Sequence, residues 1–235
     1  MTSDTGMHAR RLPRRNVLAD DVYELVKAMV MDHVLRPGAR VSIDGLAREL
    51  AVSPTPVREA LARLESDGLV LKEPLKGYRA TSLLTLEEFD DLFAFRRLIE
   101  PWAARHAAER ITPQGAAELR RELHSASPPL TDDYEGYKAL TAHDTRFHAL
   151  VAGLSGSEQV RVAFERTHCH LHIFRLHYER AIGPDTLAEH RRIADAVCSG
   201  DGAAAEAAMV AHLESAMTER LRKVYTTDPA LGADR

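Results

Sequence analysis

Ser53-Pro54-Thr55-Pro56-Val57-Arg58-Glu59-Ala60-Leu61-Ala62-Arg63-Leu64-Glu65-Ser66-Asp67-Gly68-Leu69-Val70 is the stretch on which the fold turns. Ser53 is a favoured residue at a helix N-cap, and Pro54 suits the first helical position. Pro56 still falls in the first turn, where no backbone N–H needs an intrahelical partner. Val57, Leu61 and Leu64 recur at helical spacing and predict a buried stripe, and Gly68 ends the helix. Two strand-like pieces come next, 69–72 and 78–81. They flank the turn Glu73-Pro74-Leu75-Lys76-Gly77, which carries a base and a glycine at its tip.

Upstream, Leu18, Val22, Leu25, Val26, Met29, Val30 and Val34 mark a helix that stops at Pro37-Gly38. A short second helix runs from Ile43 to Leu50, with Ile43, Leu46, Ala47 and Leu50 as its apolar face. Helix, helix, turn, helix, hairpin is a winged helix-turn-helix. In that module the second helix of the pair enters the DNA major groove and the wing reaches the neighbouring backbone or minor groove. Thr55 and Arg58 project from the first turns of the recognition helix. Arg48 on the helix before it, and Lys76 and Gly77 at the wing tip, complete the candidate DNA contacts.

Length and composition agree with a soluble chain of one large domain or two modest ones. Of 235 residues, 45% are hydrophobic and 28% charged, ordinary values for a globular protein. No apolar run approaches the roughly 20 residues of a membrane span, and the first fifteen residues lack the apolar core of a secretory signal. The two cysteines, Cys169 and Cys198, make no disulfide framework, so a cytoplasmic location is expected. The net charge of −4 is uneven. Residues 1–84 carry 13 basic against 11 acidic side chains, and the remainder carries 18 against 24. A nucleic-acid module joined to an acidic module fits that division.

The motif Thr-Pro-Val-Arg-Glu-Ala-Leu, with Leu46-Ala47-Arg48-Glu49-Leu50 before it and Ala62-Arg63-Leu64-Glu65 after it, closely resembles the recognition helix of GntR-family transcription regulators. The resemblance covers residues 16–82. At the position of Pro54 the family often has an arginine that helps bind DNA, so Thr55 and Arg58 are the carried-over contacts. The resemblance implies a homodimer on a short palindromic operator in double-stranded DNA.

From Thr85 onward the sequence reads as helices only. Thr85 and Glu88 form a capping box. Breaks at Thr112-Pro113, Ser127-Pro128-Pro129, Gly153 to Ser157, Gly183-Pro184 and Ser199-Gly200-Asp201 leave about six helices, the last ending near Tyr225. The expected fold is thus mainly α: a winged helix-turn-helix domain over 14–84, then an all-helical bundle over 85–225. Residues 1–13 and 226–235 are expected to be disordered.

Three of these helices place polar groups on apolar faces. One carries Asp144 and His148, four apart among Leu140, Phe147 and Val151. Another carries His190 among Leu187, Ala194 and Val197. The last carries His212 among Ala205, Met209 and Ala216. An unpaired buried carboxylate costs several kcal/mol, and a divalent cation shared by one carboxylate and three imidazoles removes that cost. The donor set suits zinc first, with nickel or manganese as alternatives. Asp-Thr-Arg-Phe-His, then Ala-Glu-His, then Ala-His-Leu resemble the FCD effector domain of the FadR subfamily, as does the opening 95–110. Many members of that subfamily bind a metal at the positions of Asp144, His148, His190 and His212.

Arg96 lies on the apolar line Leu92, Arg96, Ile99, Ala103 and needs an anion. Two readings stand: a pair with Glu100, four residues on, or an anchor for a ligand carboxylate. The FCD resemblance implies small organic acids as effectors, with an arginine typical at this place. Thr167 to Arg180 holds His168, His170, His172 and His177. Read as one helix, it points these in two directions, so they are expected at a cavity rim or at the surface. The sharper alternative gives His170 and His172 a hand in holding the effector.

The function expected is a DNA-binding regulator, a repressor, whose operator affinity answers to a small carboxylate bound beside a divalent metal. Two other classes are weighed: a regulator for which the metal is the signal, and a metal-dependent hydrolase. The hydrolase lacks a His-Glu-x-x-His pattern and leaves the DNA-binding motif without a purpose.

Overall fold

The structure is a computed structural model that describes residues 15–126, 134–176, 183–221 and 223–227. The described residues form two compact units that part between Thr81 and Ser82.

In the first unit, α1 (Arg15–Met31), α2 (Ile43–Glu49) and α3 (Pro54–Ser66) pack beside a small antiparallel sheet. The sheet holds β1 (Arg40–Val41), β2 (Val70–Glu73) and β3 (Gly77–Ala80) in the order β1-β3-β2. Val26, Val57, Leu61, Leu64 and Leu69 are fully buried and form the core. Removing such side chains from water is what holds this unit together, at roughly 1.5–3 kcal/mol each.

Local details depart from the sequence reading. Helix α1 ends at Met31 rather than at Pro37, because His33 takes a left-handed φ of 56°. Leu35 N–H then bonds back to the Met29 carbonyl at 2.8 Å. Val34, past the end of the helix, is exposed, and so is Leu25 within it, where a buried stripe was expected. The expected two-stranded wing gains β1, which pairs Val41 with Tyr78, and each wing strand shifts by one residue. Ser53 has the extended backbone of an N-cap but its side chain caps nothing. Pro56, at the third helical position, has no N–H to offer that side chain.

The second unit is α4 (Leu86–Glu109), α5 (Pro113–Ser125), α6 (Tyr134–Leu154), α7 (Glu158–Thr167), α8 (Cys169–Leu176), α9 (Gly183–Ser199), α10 (Gly202–Ser215) and α11 (Lys223–Thr227), with a π-helical turn at Ala216–Leu221. The capping box at Thr85 is formed: Glu88 N–H donates to Thr85 Oγ1 and Thr85 N–H donates to Glu88. Phe89, Phe93, Leu119, Phe147, Ile193 and Met209 lie at the centre of the core.

Among the described residues, eight helices replace the expected six. One new break falls at His168, which has a left-handed φ of 45° and ends α7. The other comes after Ser215, where the π turn leads into α11. Thr226 and Thr227 belong to α11 rather than to a frayed tail. The expectations for 1–13, for the Ser127–Pro129 break, for His177 and for 228–235 lie outside the described residues. No helix among the described residues is long and apolar enough to cross a membrane.

Candidate functional site

In the first unit, packing decides which side of α3 stays free. Pro56, Val57, Ala60, Leu61 and Leu64 are buried, which leaves Thr55 and Arg58 on the exposed side of the same helix. Arg48 is exposed on α2 and lines a groove with Ser42, Asp44 and Pro54 at the start of α3. Lys76 and Gly77 are exposed at the end of the wing.

The bases in this unit fall into two groups. Arg63 is bound to Asp20 at 2.6 Å, and Arg79 to Glu73 at 3.0 Å. Arg48, Arg58 and Lys76 have no ion pair among the described residues. Cations without an internal partner are the ones that can replace the counterions of a phosphate backbone. The wing tip is shaped by Leu75 at φ 62° and Gly77 at φ 91°. A side chain is strained at that second angle, which is the conformational reason for a glycine at 77.

In the second unit the four predicted ligands come together. Asp144, His148, His190 and His212 are all buried, and one potential ligand atom from each lies within 4.8 Å of every other. His212 Nε2 and His148 Nε2 are 3.2 Å apart, and His190 Nε2 is 3.4 Å from Asp144 Oδ1. His148 Nε2 is 3.8 Å from the same oxygen. An ion about 2.0–2.1 Å from four tetrahedral donors holds them about 3.3–3.4 Å apart, so the donor set has the right span.

Hydrogen bonds fix which ring atoms face inward. His148 Nδ1 donates to Glu100 Oε2 at 2.5 Å, and His212 Nδ1 donates to Glu189 Oε2 at 2.8 Å. Carboxylates only accept, so both Nδ1 atoms carry hydrogen and both Nε2 atoms present lone pairs to each other. Two lone pairs at hydrogen-bond distance repel unless a cation lies between them. His190 Nε2 is buried with no hydrogen-bond partner among the described residues. Asp144 Oδ2 is taken by His170 Nδ1 at 2.6 Å, leaving Oδ1 for the cluster. These residues fit a divalent ion with one oxygen and three nitrogen ligands.

The electrostatics agree. Burial pushes His148 down to about 4, against the pull of Glu100, and it drives His190 well down too. Both rings therefore stay neutral and available as ligands. Burial alone would raise Asp144, but His170, His190 and His148 outweigh it and hold the carboxyl well below its usual range. Burial opposes charge on His170 as well. The neighbouring Cys169 and Asp144 prevail and push His170 up to about 10.

Arg96 is buried, and its Nε donates to Glu100 Oε1 at 2.5 Å. Burial opposes the charge on Glu100, yet Arg96 and His148 more than compensate and keep its carboxyl far below the usual value. Of the two readings of Arg96, the pair with Glu100 is formed, and it is buried rather than exposed.

The histidine tract needs correction. His170 is neither at a rim nor at the surface: it is 4% exposed and bound to Asp144. The break at His168 resets the helical phase, so a face drawn over an unbroken helix misplaces every side chain beyond it. His172 is half-buried, and burial, with Arg175 and His168 nearby, pushes it down to about 4. Sequence reasoning also missed Glu100 and Glu189 as partners of ligand histidines, and it missed His143 altogether. The signal for His143 was its four-residue spacing from Phe147 on a buried face.

A winged helix-turn-helix ahead of an all-helical unit with a buried Asp/His cluster defines a DNA-binding regulator with a separate effector domain. Residues 18–79 match the family of bacterial regulatory proteins named gntR, and residues 91–215 match the FCD domain. The chain belongs to the GntR family of bacterial transcription regulators, in its FCD-bearing branch. It is 32% identical over 219 residues to an HTH-type transcriptional regulator in an unstable DNA locus of Streptomyces ambofaciens, covering 89% of this chain and 90% of that one. It is 30% identical over 216 residues to the HTH-type transcriptional regulator LutR of Bacillus subtilis, covering 79% and 93%. The crystal structure of a GntR transcriptional regulator from Rhodococcus sp. RHA1 superposes with a TM-score of 0.67 at 25% identity, over 92% of this chain and 99% of that one. The family consists of transcription regulators, not enzymes.

Proposed function

We propose that the protein is a homodimeric repressor whose affinity for a palindromic operator is set by a small organic acid bound beside a divalent metal ion. The observation that carries this reading is the convergence of three buried Nε2 atoms and one carboxylate oxygen, each ring held from behind on its other nitrogen. Zinc suits that N3O set best, with nickel or manganese as alternatives. When bound, the ion supplies a positive, partly open coordination sphere that a carboxylate can complete.

Around it, this chain's own groups would orient the acid. Arg96 uses two of its five donors on Glu100, and the rest remain for an effector carboxylate. His170 Nε2 is buried without a hydrogen-bond partner among the described residues, and half-buried His172 lies two residues on. On the DNA side, Thr55 and Arg58 would read base edges from α3, while Arg48, Lys76 and the Gly77 turn would hold the backbone. A two-fold dimer presents two such surfaces, which is why a palindrome is expected.

The test is a thermal-shift screen against small carboxylic acids, with metal and after chelation, followed by operator titration with each hit. At about 100 times its dissociation constant a ligand stabilises the fold by roughly 2.7 kcal/mol. An acid that acts only with metal present, and that changes operator affinity, supports the reading. Metal alone changing operator affinity, with no acid active, would make the metal the signal instead.

A further inference from the structure

Each ligand histidine of the candidate centre needs a group behind it. Glu100 serves His148 and Glu189 serves His212. For His190 that place holds no carboxylate but a fifth histidine, His143, with side-chain exposure of 0%. His143 Nε2 lies 3.0 Å from His190 Nδ1, and His143 Nδ1 lies 2.9 Å from Glu122 Oε1. Glu122 in turn accepts from Arg146 Nε and from Ser125 Oγ.

The direction of every proton in this chain of rings is set by its outer end. Glu122 can only accept, so His143 Nδ1–H donates to it. The lone pair of His143 is then on Nε2, where it receives His190 Nδ1–H. The lone pair of His190 is thereby left on Nε2, the atom 3.4 Å from Asp144 Oδ1. The other tautomer of His143 would set a lone pair against the Glu122 carboxylate, a repulsion that no tautomer of His190 could relieve. A histidine here does what a carboxylate at the same place cannot: it spans the gap between α5 and α9 and passes on the polarity of an acid one ring further out.

We infer that His143 is a positioning residue for the metal centre, and that Glu122–His143–His190 is a relay that fixes the ring orientation and tautomer of His190. The relay runs from the buried cluster on α6 and α9 to α5, and ends at the half-exposed Arg146. This inference rests on the metal reading under Proposed function. Relays of this kind raise the basicity of the ligand, and losing one costs about 10–100-fold in metal affinity.

The experiment measures zinc affinity of the full-length protein by competition with a chromophoric chelator, and cobalt(II) absorption, for wild type, His143→Leu, His143→Gln and Glu122→Gln. His143→Leu removes both hydrogen bonds and is expected to weaken zinc about 10–100-fold. His143→Gln keeps an acceptor for His190 and a donor for Glu122 and is expected to recover part of that loss. A purely space-filling role would give no such recovery. Glu122→Gln preserves the packing and is expected to weaken zinc by less than His143→Leu, and it decides the matter if His143→Leu fails to fold. Wild-type affinity in both His143→Leu and Glu122→Gln, or in Glu122→Gln alone when His143→Leu does not fold, would overturn the relay and leave the metal centre standing. A wild-type protein that binds neither zinc nor cobalt would overturn the centre and the relay together.

Discussion

Replacing Arg96 by methionine separates two roles for one side chain. Arg96 and Glu100 have side chains only 4% exposed, and their closest atoms are 2.5 Å apart. The guanidinium also lies 5.1 Å from the centre of the Phe93 ring. Methionine fills much of the volume but leaves Glu100 ionised and buried with His148 as its remaining partner. Breaking one side of a buried ion pair costs about 3–5 kcal/mol. For a unit of this size each kcal/mol moves the melting temperature by about 2–4 °C, so a drop of roughly 6–20 °C is expected without any ligand. Trp102, the one tryptophan, sits on α4 in this unit, so its fluorescence follows the unfolding of this unit in the intact chain. The measurement belongs in chelator, so that no metal term enters. Arg96→Met with Glu100→Leu should regain much of the lost stability, since a buried pair replaced by apolar groups is often neutral. It should still bind metal about 10–100-fold more weakly, because His148 Nδ1 has lost its acceptor. If Arg96→Met alone melts within about 1 kcal/mol of wild type, the counter-charge argument fails.

Three further outcomes are expected. Chelation should lower the melting temperature of the helical unit: an ion at about 1,000 times its dissociation constant stabilises by roughly 4.1 kcal/mol, and Asp144→Ala should abolish that increment. Identical melting of wild type with and without chelator would count against a bound ion. In operator titrations Arg58→Ala should cost about 1–3 kcal/mol and relax the sequence preference, while Lys76→Ala should weaken all sequences alike and lower the salt slope by about 1; a Lys76 effect confined to one sequence would contradict a backbone contact. Gly77→Ala should loosen the wing, since the space beside Gly77 is open but its φ of 91° strains any side chain by about 1–3 kcal/mol. Faster amide exchange along β2–β3 would register that strain, and unchanged exchange would refute it.

What could be read in the sequence was what neighbouring residues decide. Prolines at 54 and 56 and the glycine at 68 bound α3 within a residue or two, and Thr85 with Glu88 starts α4 where expected. Asp144 and His148 share a face because they are four apart on one helix, which no tertiary contact needs to arrange. The rest depends on partners far along the chain. β1 is two residues that exist as a strand only because β3 pairs with them. His168 takes a left-handed conformation without being glycine, so nothing local announces the break, and every face drawn beyond it is out of phase. The acids behind the ligands come from α4, α5 and α9, and their role depends on packing alone.

The charges nearest the cluster are largely answered within the protein, which isolates what an ion there would have to satisfy. Asp144, Glu100 and Glu189 are buried carboxylates in direct contact with the ligand histidines or with His170. Arg96 answers Glu100, and His170, bonded to Asp144 at 2.6 Å and pushed up to about 10, answers a second carboxylate. Glu122, one ring further out, is balanced by Arg146 at 3.0 Å. Asp144 Oδ1, which His170 leaves free for the cluster, lies 3.4 Å from His190 Nε2 and 3.8 Å from His148 Nε2. Burial keeps those two rings neutral, so their inward nitrogens set lone pairs, not protons, against that oxygen. A divalent cation among these atoms would replace each of those repulsions by a bond. On the proposed reading such an ion would draw an effector carboxylate first, and the remaining donors of Arg96 would orient it.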